Sequence, residues 1–293
     1  MTAPRLARRQ QAEQLAAMLP PLLVTAERVA AIVAQGVHGR RRVGTGETFG
    51  QYRRYQPGDA TTLIDWRQSA KSRHVFVREH EWEAAESVWL WCDASPSMRY
   101  RSHLAPCEKA ERAALLTLAL AVLLVRGGEH VALLGEDARP RTGAAVLDRL
   151  AARLGRRDAA AASLPPTEVL PRHAQVVLIG DFLSPLAKIE ALVKHYVGSG
   201  VKGHLLQTID PTEESLPFTG RTRFAGLEGE GEILVGRPEA VRADYVARFT
   251  AHRDSLAHLA RTAAWSFAVH HTDRPAQTAL LALYGAMAAS TAR

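Results

Sequence analysis

Asp93, Ser95 and Ser97 stand directly after the apolar run Val88-Trp89-Leu90-Trp91-Cys92. A strand that ends in Asp-x-Ser-x-Ser gathers one carboxylate and two hydroxyls in a tight turn. Hard oxygen groups so close together suit an octahedral divalent cation such as Mg²⁺, with Mn²⁺ or Ca²⁺ as alternatives. The same letters also suit a helix N-cap or an ordinary Ser/Pro turn after a core strand. A second acidic strand end, Leu178-Ile179-Gly180-Asp181, lies far downstream, although a lone Asp in that place is often only a cap. Between the two, Arg141-Thr142-Gly143 precedes a helical stretch and could add one more hydroxyl.

Other chemistries find less support. A phosphohydrolase using Asp93 as nucleophile wants a second acid two residues on, where Ser95 stands. The sequence holds no Gly-x-Ser-x-Gly elbow and no Gly-x-x-x-x-Gly-Lys-Ser/Thr phosphate loop. His270 and His271 are adjacent, so on a strand they face opposite sides and cannot ligate together. The remaining histidines are scattered, with none expected beside a nucleophile. The chain is read as a binding module and not an enzyme.

Positioning these residues requires alternating strands and helices. Strands are expected at 74–81, 88–92, 130–134, 174–180, 203–209 and 265–270, and helices at 107–125, 144–154, 186–196, 238–261 and 275–288. Strands spaced by crossover helices imply an α/β fold with a mainly parallel sheet covered on both faces. In such sheets ligands sit beyond the carboxyl ends of the strands, where Asp93 and Asp181 both fall. Three parts are expected: a helical segment 1–35, a loop-and-strand subdomain 36–84 rich in glycine, and the α/β domain 85–293 with a small hairpin excursion at 211–236.

Bulk properties bound the setting. Of the 293 residues 47% are hydrophobic, ample for a core, and the two cysteines, Cys92 and Cys107, form no metal or disulfide pattern. The longest apolar run, 113–125, is too short to span a bilayer, which needs about 20 residues. A cytoplasmic location is expected. The net charge of +7 resides in the first 80 residues, which carry 13 Lys/Arg and 6 Asp/Glu. This excess reads as a solvated basic face or, as a weaker alternative, a nucleic-acid surface, without the interleaved aromatics that stacking needs.

The motifs also carry a resemblance. Asp-x-Ser-x-Ser with Thr142 and Asp181 resembles the metal-ion-dependent adhesion site of von Willebrand factor A domains. Upstream stand Gly44-x-Gly46-Glu47-x-Phe49, Tyr52-Arg53-x-Tyr55-x-Pro57-Gly58-Asp59, Ile64-Asp65-Trp66 and Val77-Arg78-Glu79. In that order they resemble the bacterial domain of unknown function 58 family, densely over 36–98. By composition alone the same residues read as turns and ion pairs of a loop-rich subdomain. The resemblance implies that Ser95, Ser97 and Thr142 ligate Mg²⁺ directly while Asp93 and Asp181 act through water. It also implies a MoxR-type AAA+ ATPase as partner, and chaperone-like maturation or assembly of other proteins as the role.

Overall fold

The computed structural model describes residues 21–37, 49–55, 64, 66–71, 74–80, 87–156, 162–229 and 231–291. The chain divides into two compact units, one of Met1–Gly39 with Glu86–Arg293 and one of Arg40–Ala85.

In the smaller unit, β1 (Phe49–Arg54) pairs antiparallel with β2 (Phe76–His80), with Arg54 opposite Phe76 and Phe49 opposite His80. A single helical turn, α2 (Trp66–Ser69), ends on Ser69, whose hydroxyl accepts the Phe76 amide at 2.9 Å. The motifs at 44–47, 57–59 and Asp65 lie outside the described residues.

The larger unit begins with α1 (Pro21–Val37), where proline opens the first turn and the helix continues through Gly36 to Val37. Leu23, Ala26, Val29, Ala30 and Val33 form a buried stripe at helical spacing, so this segment belongs to the main core. Five strands then form one parallel sheet: β3 (Ser87–Cys92), β4 (His130–Leu133), β5 (Gln175–Gly180), β6 (Lys202–Ile209) and β9 (Ser266–His271). Their order is β4-β3-β5-β6-β9, and every pair is parallel. Two further strands among the described residues, β7 (Thr222–Ala225) and β8 (Glu232–Val235), pair antiparallel as a hairpin.

Alternation along the strands sends side chains into two cores. Val88, Leu90, Val177 and Ile179 pack with α1, with α3 (Lys109–Arg126) and with α8 (Ala276–Thr291). Trp89, Trp91, Val176 and Leu178 face the opposite way, toward α5 (Leu186–Gly198) and α7 (Pro238–Thr262). Burial on both faces explains why β5 reads as an unbroken apolar run instead of an alternating one. Helix α4 (Ala144–Leu154) covers β4's side of the first core through Val146, Leu147 and Leu150. Among the described residues no helix is long and apolar enough to cross a membrane.

The chain leaves β3 toward β4 on one side and later enters β5 on the other. The switch point therefore lies between β3 and β5, the two strands that end in Asp93 and Asp181.

Candidate functional site

The Asp93 amide donates to Ile179 O at 2.8 Å, extending the ladder one residue past β3. One carboxylate oxygen, Oδ1, accepts the Ser95 amide at 2.9 Å, which turns the chain back sharply. Pro96–Arg99 follows as one 3₁₀ turn, anchored by Met98, which is fully buried. That turn sets the Ser95 and Ser97 hydroxyls 3.1 Å apart, and Ser97 Oγ donates to Asp181 Oδ2 at 2.8 Å. Asp93, Ser95, Ser97 and Asp181 are thus brought together.

Close approach of the two strand ends depends on Gly180. A Cβ there would lie 2.8 Å from Asp93 Cβ and 2.9 Å from its Oδ2. On the other side, Phe182 takes a left-handed φ of 52°, a conformation that costs a non-glycine residue about 1–2 kcal/mol. Its neighbours hold it there. Gln207 Nε2 donates to Asp181 O at 2.9 Å, His252 Nε2 lies 2.7 Å from Phe182 O, and Asp181 Oδ1 accepts the Leu183 amide at 3.2 Å.

Thr142 is not brought to this place. It is exposed, beside Arg141, whose backbone exchanges two hydrogen bonds with Val131 near the start of β4. Val131 aligns with Val88, five residues before Asp93. At a rise of about 3.3 Å per residue this is roughly 16 Å along the strand, at the opposite end of the sheet. After β4 the chain turns and runs back antiparallel along that strand, with Arg141 bridging Val131, and this carries Thr142 away from the site.

The place beside Asp181 is taken by a residue that the sequence reading did not single out. Lys109, at the first turn of α3 and with no exposed side-chain surface, puts Nζ 3.0 Å from Asp181 Oδ2 and 2.5 Å from Glu213 Oε1. Glu213 belongs to α6 (Pro211–Ser215), the single turn after β6, and also accepts the Asp210 amide. Burial presses the Lys109 ammonium toward a lower pKa, and the two carboxylates reverse this to a net rise. For Glu213, burial outweighs the attraction of Lys109 and raises its pKa. The same loops are bolted together once more. Asp210 accepts the Ser102 and Thr212 amides, and Tyr100 OH meets Thr212 Oγ1 at 2.8 Å.

Among the described residues Asp93 Oδ2 is buried with no hydrogen-bond partner. Burial, then the charge of Asp181, pushes the Asp93 carboxyl up to about 7. Between about pH 4 and 7 the folded protein therefore keeps a proton that the unfolded chain has released. Stability falls as pH rises through that window and levels off above it. Asp93→Asn removes the ionisation while keeping an Oδ1 acceptor for the Ser95 amide. Thermal melts are expected to show a smaller loss between pH 5 and 8 in the variant, with the variant the more stable at pH 8. A parallel pH dependence in both proteins would refute this assignment.

These observations test the fit to Mg²⁺. Ser95, Ser97 and one oxygen of Asp93 are the hard donors at hand, Thr142 stands at the other end of the sheet, and Asp181 is engaged by an ammonium. A dication would have to share Asp181 with that ammonium, which like-charge repulsion opposes. The donor set does not fit the five-residue Mg²⁺ constellation.

A cleft of about 560 Å³ opens on the β4 side of Asp93, lined among others by Trp91, Arg99, Glu111, Leu134 and Arg153. The histidines lie elsewhere. His270 meets Arg112 at 3.2 Å and His271 meets Glu214 at 2.7 Å, on opposite sides as adjacent strand residues must. One histidine does touch a hydroxyl, contrary to expectation: His204 Nδ1 lies 2.8 Å from Ser266 Oγ and its Nε2 3.2 Å from Gln175 Oε1. This is a cross-strand link at the amino end of the sheet. Burial pushes His204 down to about 4, making it a weak base.

Residues 51–255 match the model of a protein family described as "Protein of unknown function DUF58". The chain belongs to the DUF58 family. The DUF58 match takes in the smaller unit from Gln51, within β1, onward and all of the site residues. Curated relatives include the uncharacterized proteins Rv1480 of Mycobacterium tuberculosis (strain ATCC 25618 / H37Rv) and Mb1516 of Mycobacterium bovis. Each is 26% identical over 282 residues, covering 89% of this chain and 86% of the relative. Among solved structures, this DUF58 chain is similar to an aerotolerance-related membrane protein from Bacteroides fragilis NCTC 9343, at 16% identity and a TM-score of 0.42. It is also similar to the conserved hypothetical protein BatB from Bacteroides thetaiotaomicron, at 15% identity and a TM-score of 0.37. Both alignments cover 70% of this chain and 99% of the other.

Lys109 and Glu213 had signals in the sequence. A lysine in the first turn of a long apolar helix opposes the helix dipole, so it needs acidic partners. Asp210-Pro211-Thr212-Glu213 has the spacing of a capping box. What no local pattern shows is that these two turns meet at Asp181.

Proposed function

We propose that this DUF58 chain is a protein-interaction module whose docking face is the carboxyl end of its parallel sheet. The partner, as the family resemblance implies, is a MoxR-type AAA+ ATPase, and the joint role is chaperone-like maturation or assembly of other proteins. The observation that carries the reading is the character of that end. A buried, cross-linked polar cluster fixes loops that carry exposed apolar side chains: Leu104 at 50% and Leu183 at 43% exposure. The β7–β8 hairpin, inserted after the carboxyl end of β6, adds Ile233 and Leu234, both more than half exposed. Apolar side chains that project from loops fixed in this way supply contact surface more readily than they serve the fold. Rigid loops lower the entropy that docking must overcome.

Docking at this face takes no step through Mg²⁺. Capture of the purified ATPase on immobilised chain tests it: Leu183→Asp is expected to abolish capture without changing the thermal melt. Capture at wild-type level would discard the proposed face.

A further inference from the structure

We infer that the cation of the Asp-x-Ser-x-Ser site in this chain is the ammonium of Lys109, so that the site works without a divalent metal. Two independent observations converge. First, Lys109 is fully buried, and its Nζ contacts Asp181 Oδ2, the oxygen that also receives the Ser97 hydroxyl. With Oδ1 held by the Leu183 amide, both oxygens of Asp181 are committed. Second, the expected third-loop hydroxyl stands at the other end of the sheet.

Charge and geometry account for the arrangement. The Lys109 side chain reaches the meeting point of the β5 end and α6 from α3. It provides what a bound cation provides in a site of this shape: a positive centre that draws strand-end carboxylate and serine hydroxyl together. A tetrahedral ammonium has three donors. Two are used by Asp181 and Glu213, which ties α6 to the β5 loop as well. Removing the ammonium leaves Asp181, Glu213, Ser95 and Ser97 as an uncompensated oxygen cluster, a composition that suits a hard dication.

The inference rests on the site's own geometry and not on docking, so its test involves no partner. Mn²⁺ binding is followed by electron paramagnetic resonance in wild type, Lys109→Met and Lys109→Met/Ser95→Ala/Ser97→Ala. Lys109→Met is expected to bind Mn²⁺ about tenfold or more tightly than wild type, and the triple variant to lose the gain. A folded Lys109→Met that binds no better than wild type overturns the inference. Should that variant fail to fold, the wild type decides: thermal melts in millimolar Mg²⁺ and in chelator are expected to coincide. A Mg²⁺-dependent rise in melting temperature that disappears in Ser95→Ala/Ser97→Ala would overturn the inference, since a native-state ligand must stabilise.

Discussion

Lys109→Met is expected to lower folding stability by about 3–5 kcal/mol, the cost of breaking a buried ion pair and leaving its acids uncompensated. Methionine fills much the same volume, so packing loss is a small part of the effect. The charges decide it: Asp181 and Glu213 lose the ammonium that lies 3.0 and 2.5 Å away. Urea denaturation measures the loss directly. Adding Asp181→Asn to Lys109→Met is expected to return part of it, because the asparagine needs no counter-charge and can still accept from the Leu183 amide. A loss below about 1 kcal/mol, or no recovery in the double variant, would show that the lysine is not the electrostatic centre of the cluster.

Gly203→Ala is the second large effect. A Cβ at Gly203 would lie 2.0 Å from Trp265 Cδ2 and 2.1 Å from Cε2, well inside contact distance. The indole cannot retreat easily. Trp265 is only 6% exposed, in the core beneath α5 and α7, with its ring stacked on Tyr196 at 6.4 Å. Overpacking of this kind costs about 3 kcal/mol or more when neither backbone nor ring can give. Near-UV circular dichroism and urea melts report the outcome. Pairing Gly203→Ala with Trp265→Leu is expected to regain stability by making room for the methyl. Wild-type stability in Gly203→Ala alone would contradict the packing described for this face.

Much of this architecture could be read from periodicity. Apolar runs ending in Asp93 and Asp181 mark two neighbouring strand ends, because burial on both faces leaves a parallel strand no polar alternation. Helices such as α4 and α5 announce themselves by their apolar spacing. The smaller unit resisted, since its glycine-rich segments specify turns and not a pairing partner. The site was legible only where its residues are close in sequence. Asp93, Ser95 and Ser97 form one turn, and Asp181 joins them because strand ends at a switch point converge. Thr142 went astray because the sequence shows a hydroxyl before a helix but not at which end of the sheet it falls. Lys109 and Glu213 went unnoticed because each looks like helix-terminus furniture. Only the tertiary fold places one turn against the other, 104 residues apart in sequence.

The central claim, docking at the carboxyl end of the sheet, is tested most directly by calorimetric titration of the nucleotide-free ATPase into three proteins. These are the wild type, Leu183→Asp at the proposed face, and Val197→Asp near the end of α5, which leads to the amino end of β6. Both substitutions fall on exposed apolar residues of similar exposure, 43% and 41%, so their general cost is matched. The account predicts affinity about tenfold or more weaker for Leu183→Asp and unchanged for Val197→Asp, with each result the same in chelator. Equal affinities for the two variants, or a loss confined to Val197→Asp, would contradict it.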